Sequence, residues 1–162
     1  MNVNAISPAV TAREAIKGFQ ELEAQGKLGP GGGTYLFTGN ALNDKPISGL
    51  FTLGVGKSAT AATVEYLART AYNDKPYRFV SITFSTANYR QTEASKEIEN
   101  LHCSSFYYVD ERESNGRPMY KGVNGDAHAD VFFQLAQDPK QGPWQYTFSR
   151  DNGYAVFPKD FP

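Results

Sequence analysis

The sequence predicts a mainly β fold, in which an antiparallel meander of strands closes into a small barrel with one N-terminal helix. Phe, Tyr and Trp make up 14% of the 162 residues, a high share, and aromatic side chains favour strands. Short segments of alternating apolar and polar residues recur along the chain, separated by turns rich in Asn, Asp, Gly and Pro. Closing such a meander into a barrel removes its exposed edges.

An α+β cone, in which a curved antiparallel sheet wraps a pocket beneath helices, is the alternative architecture. The length suits a single domain with one core. We expect one domain over 1–162, with a flexible start (1–10), a helix (about 12–25), a glycine-rich connector (26–33) and a β-rich body (34–158).

The helix predicted over about 12–25 has signals at both ends. Thr11 and Glu14 form the capping-box pattern, and apolar residues then recur at three- and four-residue spacing. Gly26 is well placed to end the helix. The glycines at 29–33 follow a helix and precede a strand, the reverse of a phosphate-binding loop, so they are predicted to form a connector.

The central hairpin of the predicted sheet spans 61–72 and 77–86, around the turn 73–76. Its second arm alternates Val80, Ile82 and Phe84 with polar residues, the period of a strand with one buried face. An Asn-Gly pair at Asn115 marks another hairpin. The full set of predicted strands is 34–39, 47–54, 61–72, 77–89, 104–110, 117–123, 129–137, 144–150 and 154–157.

Three segments allow alternatives. The alanine-rich stretch 58–71 could be a helix instead of a strand, and 91–101 fits either a short helix or a polar excursion. Leu53–Ser58 matches the end of a phosphate-binding loop, but Phe51 occupies the position of its first glycine. A glycine-bent strand end is therefore expected there, without nucleotide binding.

Charge and composition exclude several classes of protein. The net charge is −1 and the basic residues are scattered, so no nucleic-acid partner is expected. No apolar run reaches the length of a membrane span and the N-terminus lacks a signal-peptide pattern, so no membrane partner is expected. Cys103 is the single cysteine, which excludes an intrachain disulfide. A cytoplasmic location is predicted.

Few residues suggest acid–base, thiol or metal chemistry. His102 adjoins Cys103, but neighbours on a strand point to opposite faces, so a buried, inert cysteine is expected. Residues 126, 128 and 130 would share one face of an extended segment. The weak alternative of a metal site therefore comprises His102, Asp126, His128 and Asp130. We expect no metal and no cofactor.

The aromatic residues carry the functional hypothesis. Those predicted to line a ligand cavity are Tyr66, Phe79, Phe106, Tyr108, Phe132 and Tyr146. The first hypothesis is a barrel that binds a small hydrophobic or aromatic ligand, with cofactor-independent cyclisation or isomerisation as its possible chemistry. The alternative is a protein–protein interaction module, an inhibitor or assembly component, that uses an exposed aromatic sheet face. A homodimer is compatible with either.

Overall fold

The computed structural model describes residues 1–29, 32–71 and 104–158. In these residues helices alternate with strands, in the order α1 (Ser7–Ala24), β1 (Thr34–Thr38), α2 (Phe51–Tyr66), β2 (Ser105–Glu111), α3 (Gly125–Gln137), β3 (Gln145–Ser149) and β4 (Gly153–Tyr154). Short helical turns precede α1 (Asn2–Ile6), follow β1 (Ala41–Asn43) and follow α2 (Leu67–Ala71).

The sheet is open and mixed, with the strands in the order β1-β2-β3-β4. β2 pairs in parallel with β1 on one side and β3 on the other, and β4 turns back antiparallel to β3. Both the closed antiparallel barrel and the antiparallel cone are therefore wrong. Parallel neighbours need long crossover connections, which here contain helices, whereas a meander needs only short turns.

β2 lies between β1 and β3 in the sheet, and all of its residues are buried. Phe106 and Tyr108 face α1 and α2, where they pack in a cluster with Val64. Tyr107 and Val109 face α3 and pack in a second cluster. Because successive side chains of a strand point to opposite faces, β2 supplies one side of each core. The described residues thus form three layers, with helices on both faces of the sheet.

Helix α1 begins earlier than predicted and ends where predicted. Pro8 lies in its first turn, a position that does not require a backbone N–H. Thr11 is already inside the helix and donates to Pro8 O, so the predicted capping box is wrong. At the other end Gly26 has φ 65°, and Lys27 N donates to Leu22 O at 2.8 Å. This is the Schellman end that the glycine predicted.

Helices α2 and α3 replace predicted strands at 47–54, 61–72 and 129–137. The helical alternative for 58–71 is confirmed over α2 and the turn after it. Asn124 caps α3, since its Oδ1 accepts from Ala127 N at 2.9 Å. Thr, Val and Phe gave these segments a strand-like composition, but buried apolar faces at helical spacing outweigh that local preference.

Three predicted strands, at 34–39, 104–110 and 144–150, are confirmed as β1, β2 and β3. The final strand shortens to β4, and 117–123 retains a single bridge between Arg112 and Pro118. The segments at 77–89 and 91–101 lie outside the described residues. Across the described ranges, none of the helices is long and apolar enough to cross a membrane.

Candidate functional site

Polar side chains collect at the carboxyl ends of β1 and β2. Ligands of open parallel sheets bind outside the carboxyl ends of the strands, because the helices that follow leave a crevice there. Lys57 reaches this edge from α2, and Asp44 from the connection after β1. Asp110 and Arg112 lie at the end of β2. The edge of the sheet formed by the carboxyl ends of β1 and β2 is the candidate site.

Lys57 is a buried cation with few partners. Its side chain comes from the inner face of α2, and the residue is 9% exposed. The Nζ atom donates to Thr38 O at 3.2 Å and lies 4.7 Å from the centroid of the Phe37 ring. Burial lowers the pKa of Lys57, and the nearby charge of Asp110 partly opposes this. The Lys57 ammonium is thus held near the carboxyl end of β1, and its remaining N–H groups can donate further hydrogen bonds.

A chain of charged groups extends from Lys57 across the edge. Arg112 is 1% exposed and donates from Nε to the Asp110 carboxylate. Its Nη2 donates to Asp44 Oδ1 at 3.3 Å, and Gln145 Nε2 donates to the other oxygen of Asp44 at 3.2 Å. The buried guanidinium is therefore shared between two carboxylates, which fixes both of them.

Asp110 is the group of this chain whose protonation is most affected. Burial raises its pKa to about 6, against the effect of Arg112, while Asp44 adds repulsion that raises it further. A carboxyl in this range exchanges a proton near neutral pH. Asp110 can therefore change the charge around Lys57 within the physiological range.

Tyr108 fixes the backbone that follows β1. Its hydroxyl donates to Asn40 O at 2.9 Å and accepts from Asn40 N at 3.1 Å. Burial raises the pKa of this phenol, which keeps it protonated. Its ring crosses Gly39 so closely that a Cβ there would lie 2.1 Å from the ring. Tyr108 therefore fixes the position of the loop that follows β1 and begins the crevice.

A cavity of about 150 Å³ opens beside this network. Its polar wall contains Asp44, Arg112 and Gln145, and its apolar wall comes from the segment after β3. The remaining lining residues are Lys45, Thr147, Tyr154, Val156, Phe157 and Pro158. A cavity with one polar and one apolar wall suits a small, largely apolar molecule with a few polar atoms.

A second polar cluster joins β2 to α3. The buried Glu111 accepts from Arg150 Nε at 2.8 Å and from Asn124 N at 2.8 Å. His128 Nδ1 lies 3.0 Å from Asn124 O and 3.4 Å from the Glu111 carboxylate. Both neighbours are acceptors, so Nδ1 carries the hydrogen. These contacts anchor the start of α3.

Among the described residues, the aromatic side chains predicted to line one cavity lie in two separate cores and on an exposed helix face. Phe106 and Tyr108 are fully buried in the core beneath α1 and α2. Phe132 and Tyr146 belong to the core beneath α3, on the opposite face of the sheet. Tyr66 is 62% exposed on α2. Phe79 lies outside the described residues.

The weak metal alternative is not assembled in the described part of the chain. His128 is buried in α3, whereas Asp126 and Asp130 are exposed on the same helix. Side chains two apart point in different directions on a helix, which removes the shared face that an extended segment would provide. His102 and Cys103 lie outside the described residues. Where the structure describes the chain, no cluster of metal-binding side chains occurs.

Sequence reasoning missed Lys57, although a signal was present. Between Lys45 and Glu65 it is the single charged residue, in a stretch otherwise apolar or small. Treating Leu53–Ser58 as part of a nucleotide loop, or as a bent strand end, concealed this. On a helix, one cation among apolar residues predicts a buried or functional charge.

Comparison with known proteins finds a curated relative, the "Short chain dehydrogenase/reductase dmxR12" of Cryptosporiopsis sp. (strain 8999). It is 34% identical over 160 residues, which are 99% of this chain and 52% of the relative. The chain thus spans about half the length of this relative. No protein-family model matches the chain, and no solved structure matches it.

This relative overturns the functional hypotheses drawn from the aromatic residues. The relative is named as a dehydrogenase/reductase, not as a binding or interaction protein. The open sheet also provides no barrel to enclose a ligand. The cofactor-independent binding barrel and the interaction module are both wrong.

Proposed function

We propose that this chain forms part of an oxidoreductase of the short-chain dehydrogenase/reductase kind and carries its substrate-facing edge. Similarity to the curated relative along nearly the whole chain supports the reaction class. Parallel strands covered by helices on both faces support the location, since such sheets bind dinucleotide cofactors at the carboxyl ends. The observation that carries the proposal is the buried ammonium of Lys57 at that edge.

Lys57 suits a role in carbonyl reduction or alcohol oxidation. The bound cofactor of such an enzyme supplies or takes up the hydride. As a substrate carbonyl is reduced, negative charge develops on its oxygen, and a preorganised cation stabilises that charge. Lys57 can donate a hydrogen bond to this oxygen and then a proton, which its lowered pKa facilitates. Thr38 O holds the ammonium in place.

The phosphates of a dinucleotide fit poorly among the described residues. They require a glycine-rich turn that leads from a strand directly into a helix N-terminus. The connection from β1 to α2 instead contains the turn Ala41–Asn43. The N-terminus of α3 is already occupied by the carboxylate of Glu111. We therefore assign no phosphate-binding residue among the described residues and derive no step through the cofactor.

The test is turnover of reduced nicotinamide cofactor by the purified full chain with a panel of ketones and aldehydes. Replacing Lys57 by Met should lower kcat/KM by about 100-fold or more, the usual contribution of a positioned proton donor. The control is Lys17→Met on the exposed face of α1, which should leave kcat/KM unchanged. Absence of turnover by the wild type, or full activity of Lys57→Met, would overturn the proposal.

The partners and location expected from the sequence enter this proposal. A small hydrophobic or aromatic molecule is the expected substrate. The cavity beside Asp44, which Lys57 does not line, has a matching mixture of walls. No nucleic-acid or membrane partner is expected, and the location is expected to be cytoplasmic. Fractionation of cells that express the protein would check the expected absence of a membrane partner and the expected cytoplasmic location.

A further inference from the structure

Asp44 presents a fixed, partly exposed acceptor to the cavity that it lines. Its carboxylate is 18% exposed, whereas the Arg112 side chain that pairs with it is 1% exposed. Arg112 donates to one oxygen of this carboxylate at 3.3 Å, and Gln145 donates to the other at 3.2 Å. A carboxylate oxygen has two acceptor sites, and within the described residues each oxygen of Asp44 accepts one hydrogen bond. The carboxylate is therefore held in one orientation and can still accept from a ligand.

The apolar wall of the same cavity comes from the segment after β3. Tyr154, Val156 and Phe157 belong to this wall. Ala155 N donates to Thr147 O at 3.0 Å, which ties the segment to β3. The cavity volume of about 150 Å³ is roughly the space that holds one benzene molecule in a protein. The cavity therefore suits a single ring with one polar substituent directed at Asp44.

The charges of the cavity restrict that polar substituent. The charged lining residues are Asp44, Lys45 and Arg112, two cations and one anion, so a cationic ligand is disfavoured. An anionic ligand is disfavoured as well, because the guanidinium of Arg112 is buried and the ligand would meet the carboxylate of Asp44. The Lys45 ammonium donates to Pro158 O at 3.3 Å in an exposed position. A neutral hydroxyl group avoids both repulsions.

We propose that this cavity binds a small phenol. The phenol hydroxyl donates to the carboxylate of Asp44 and accepts from the second N–H of the Gln145 amide, while the ring lies against Tyr154 and Phe157. Lys57 does not line the cavity, so the hydroxyl is recognised and is not the group that reacts. The proposal concerns binding alone. It holds or fails independently of the reaction assigned to Lys57.

A titration of the ¹⁵N-labelled full chain with phenol, followed by NMR, tests the site. The expected Kd is on the order of 1 mM, as for other fragments of this size. The largest amide shifts are expected at Thr147, Tyr154 and Phe157. Fluorobenzene is the matched ligand, since it has nearly the same shape and no hydrogen to donate, and it should bind about 10-fold more weakly or worse. Equal binding of the two ligands, or shifts confined to other parts of the chain, would overturn the proposal.

Asp44→Asn removes the charge of the acceptor and keeps its shape. Phenol binding should weaken by about 10-fold and fluorobenzene binding should not change, because hydrogen bonds to charged acceptors are the stronger ones. The control is Asp130→Asn, the same chemical change at an exposed position of α3, which should affect neither ligand. Wild-type affinity of Asp44→Asn for phenol would contradict the proposal.

Phe157→Ala tests the apolar wall without removing a partner of the buried Arg112. The segment after β4 packs loosely, since Val156 beside Phe157 is 80% exposed, so this variant should fold even where Asp44→Asn does not. Binding of phenol and of fluorobenzene should weaken together, because both lose the same apolar contact. Unchanged binding of phenol to Phe157→Ala would exclude this cavity as the site.

Benzoate and benzylamine test the charge argument on the wild-type chain. Both keep the ring, and each replaces the neutral hydroxyl by a charged group. We expect each to bind more weakly than phenol, because one meets Asp44 and the other meets the excess of cations. Tighter binding of benzoate would show an anion site, and tighter binding of benzylamine would show a cation site. Either result would overturn the proposal.

Discussion

The carboxyl group of Asp110 is buried, in a position where its ionisation is unfavourable. The pKa of the group is raised from its ordinary value of 3.8 to about 6 by burial, although Arg112 donates to it. Between these two values the folded protein binds more protons than the unfolded chain. The free energy of unfolding must therefore fall as the pH rises through this window.

We expect urea unfolding to show this dependence in the wild type and to lose it in Asp110→Asn. The contribution of Asp110 is fully present below about pH 4 and is lost as the pH rises through about 6, a change on the order of 3 kcal/mol. The variant has no group to titrate here, so the difference between the two curves isolates Asp110. An unchanged slope in Asp110→Asn would contradict this account.

Gly39 shows how one residue without a side chain shapes the crevice. A Cβ at this position would lie 2.1 Å from the Tyr108 ring, far inside van der Waals contact. Gly39→Ala should lower the free energy of unfolding by about 1–3 kcal/mol, as overpacking of a core does. Gly54→Ala is the control, because its Cβ would meet nothing nearer than Leu42 O at 3.6 Å. Equal stability of the two variants in urea would exclude the clash.

At the scale of an element, α1 contains two glycines with opposite roles. Gly18 lies within the helix and Gly26 ends it with φ 65°, and a Cβ on either would meet nothing within 4 Å. Their effects therefore come from the backbone alone. Side chains favour the helical conformation of the first and disfavour the left-handed conformation of the second.

Gly18→Ala should thus stabilise the protein by about 1 kcal/mol, and Gly26→Ala should destabilise it by about 1 kcal/mol. Chemical denaturation of both variants with the wild type measures the two shifts together, and each variant serves as the control of the other. Shifts of the same sign would mean that α1 does not end in the Schellman motif.

For the molecule as a whole, the sequence predicts elements better than their arrangement. Helix α1 and strands β1, β2 and β3 follow from local signals such as Gly26 and alternating aromatic residues. Helix α2 follows only as the helical alternative for 58–71 and α3 does not follow, because Thr, Val and Phe favour strands locally and the buried helical faces exist only once the sheet has formed. Parallel pairing leaves no trace in neighbouring residues, since Thr34 pairs with Ser105.

For the candidate site too, the sequence predicts local features better than their arrangement in space. Asp110 and Arg112 are ordinary loop charges in the sequence and become buried only because β2 is central. Lys57 can be recognised in the sequence as a lone charge in an apolar stretch. Its place beside the carboxyl end of β1 cannot be predicted, because no local pattern locates that end. Chemistry carried by distant residues can be assigned once the topology is known.

The pairing of β1 with β2 also constrains how the chain is made. Gly33 N donates to Ser104 Oγ across 71 residues of sequence. At about 5–20 residues per second, a ribosome needs roughly 4–14 seconds to add the second partner after the first. During that interval α1, β1 and α2 have emerged without the strand that covers their apolar side chains. The apolar side chains of the later core are therefore exposed in the nascent chain for those seconds. Chaperone binding is most useful at this stage.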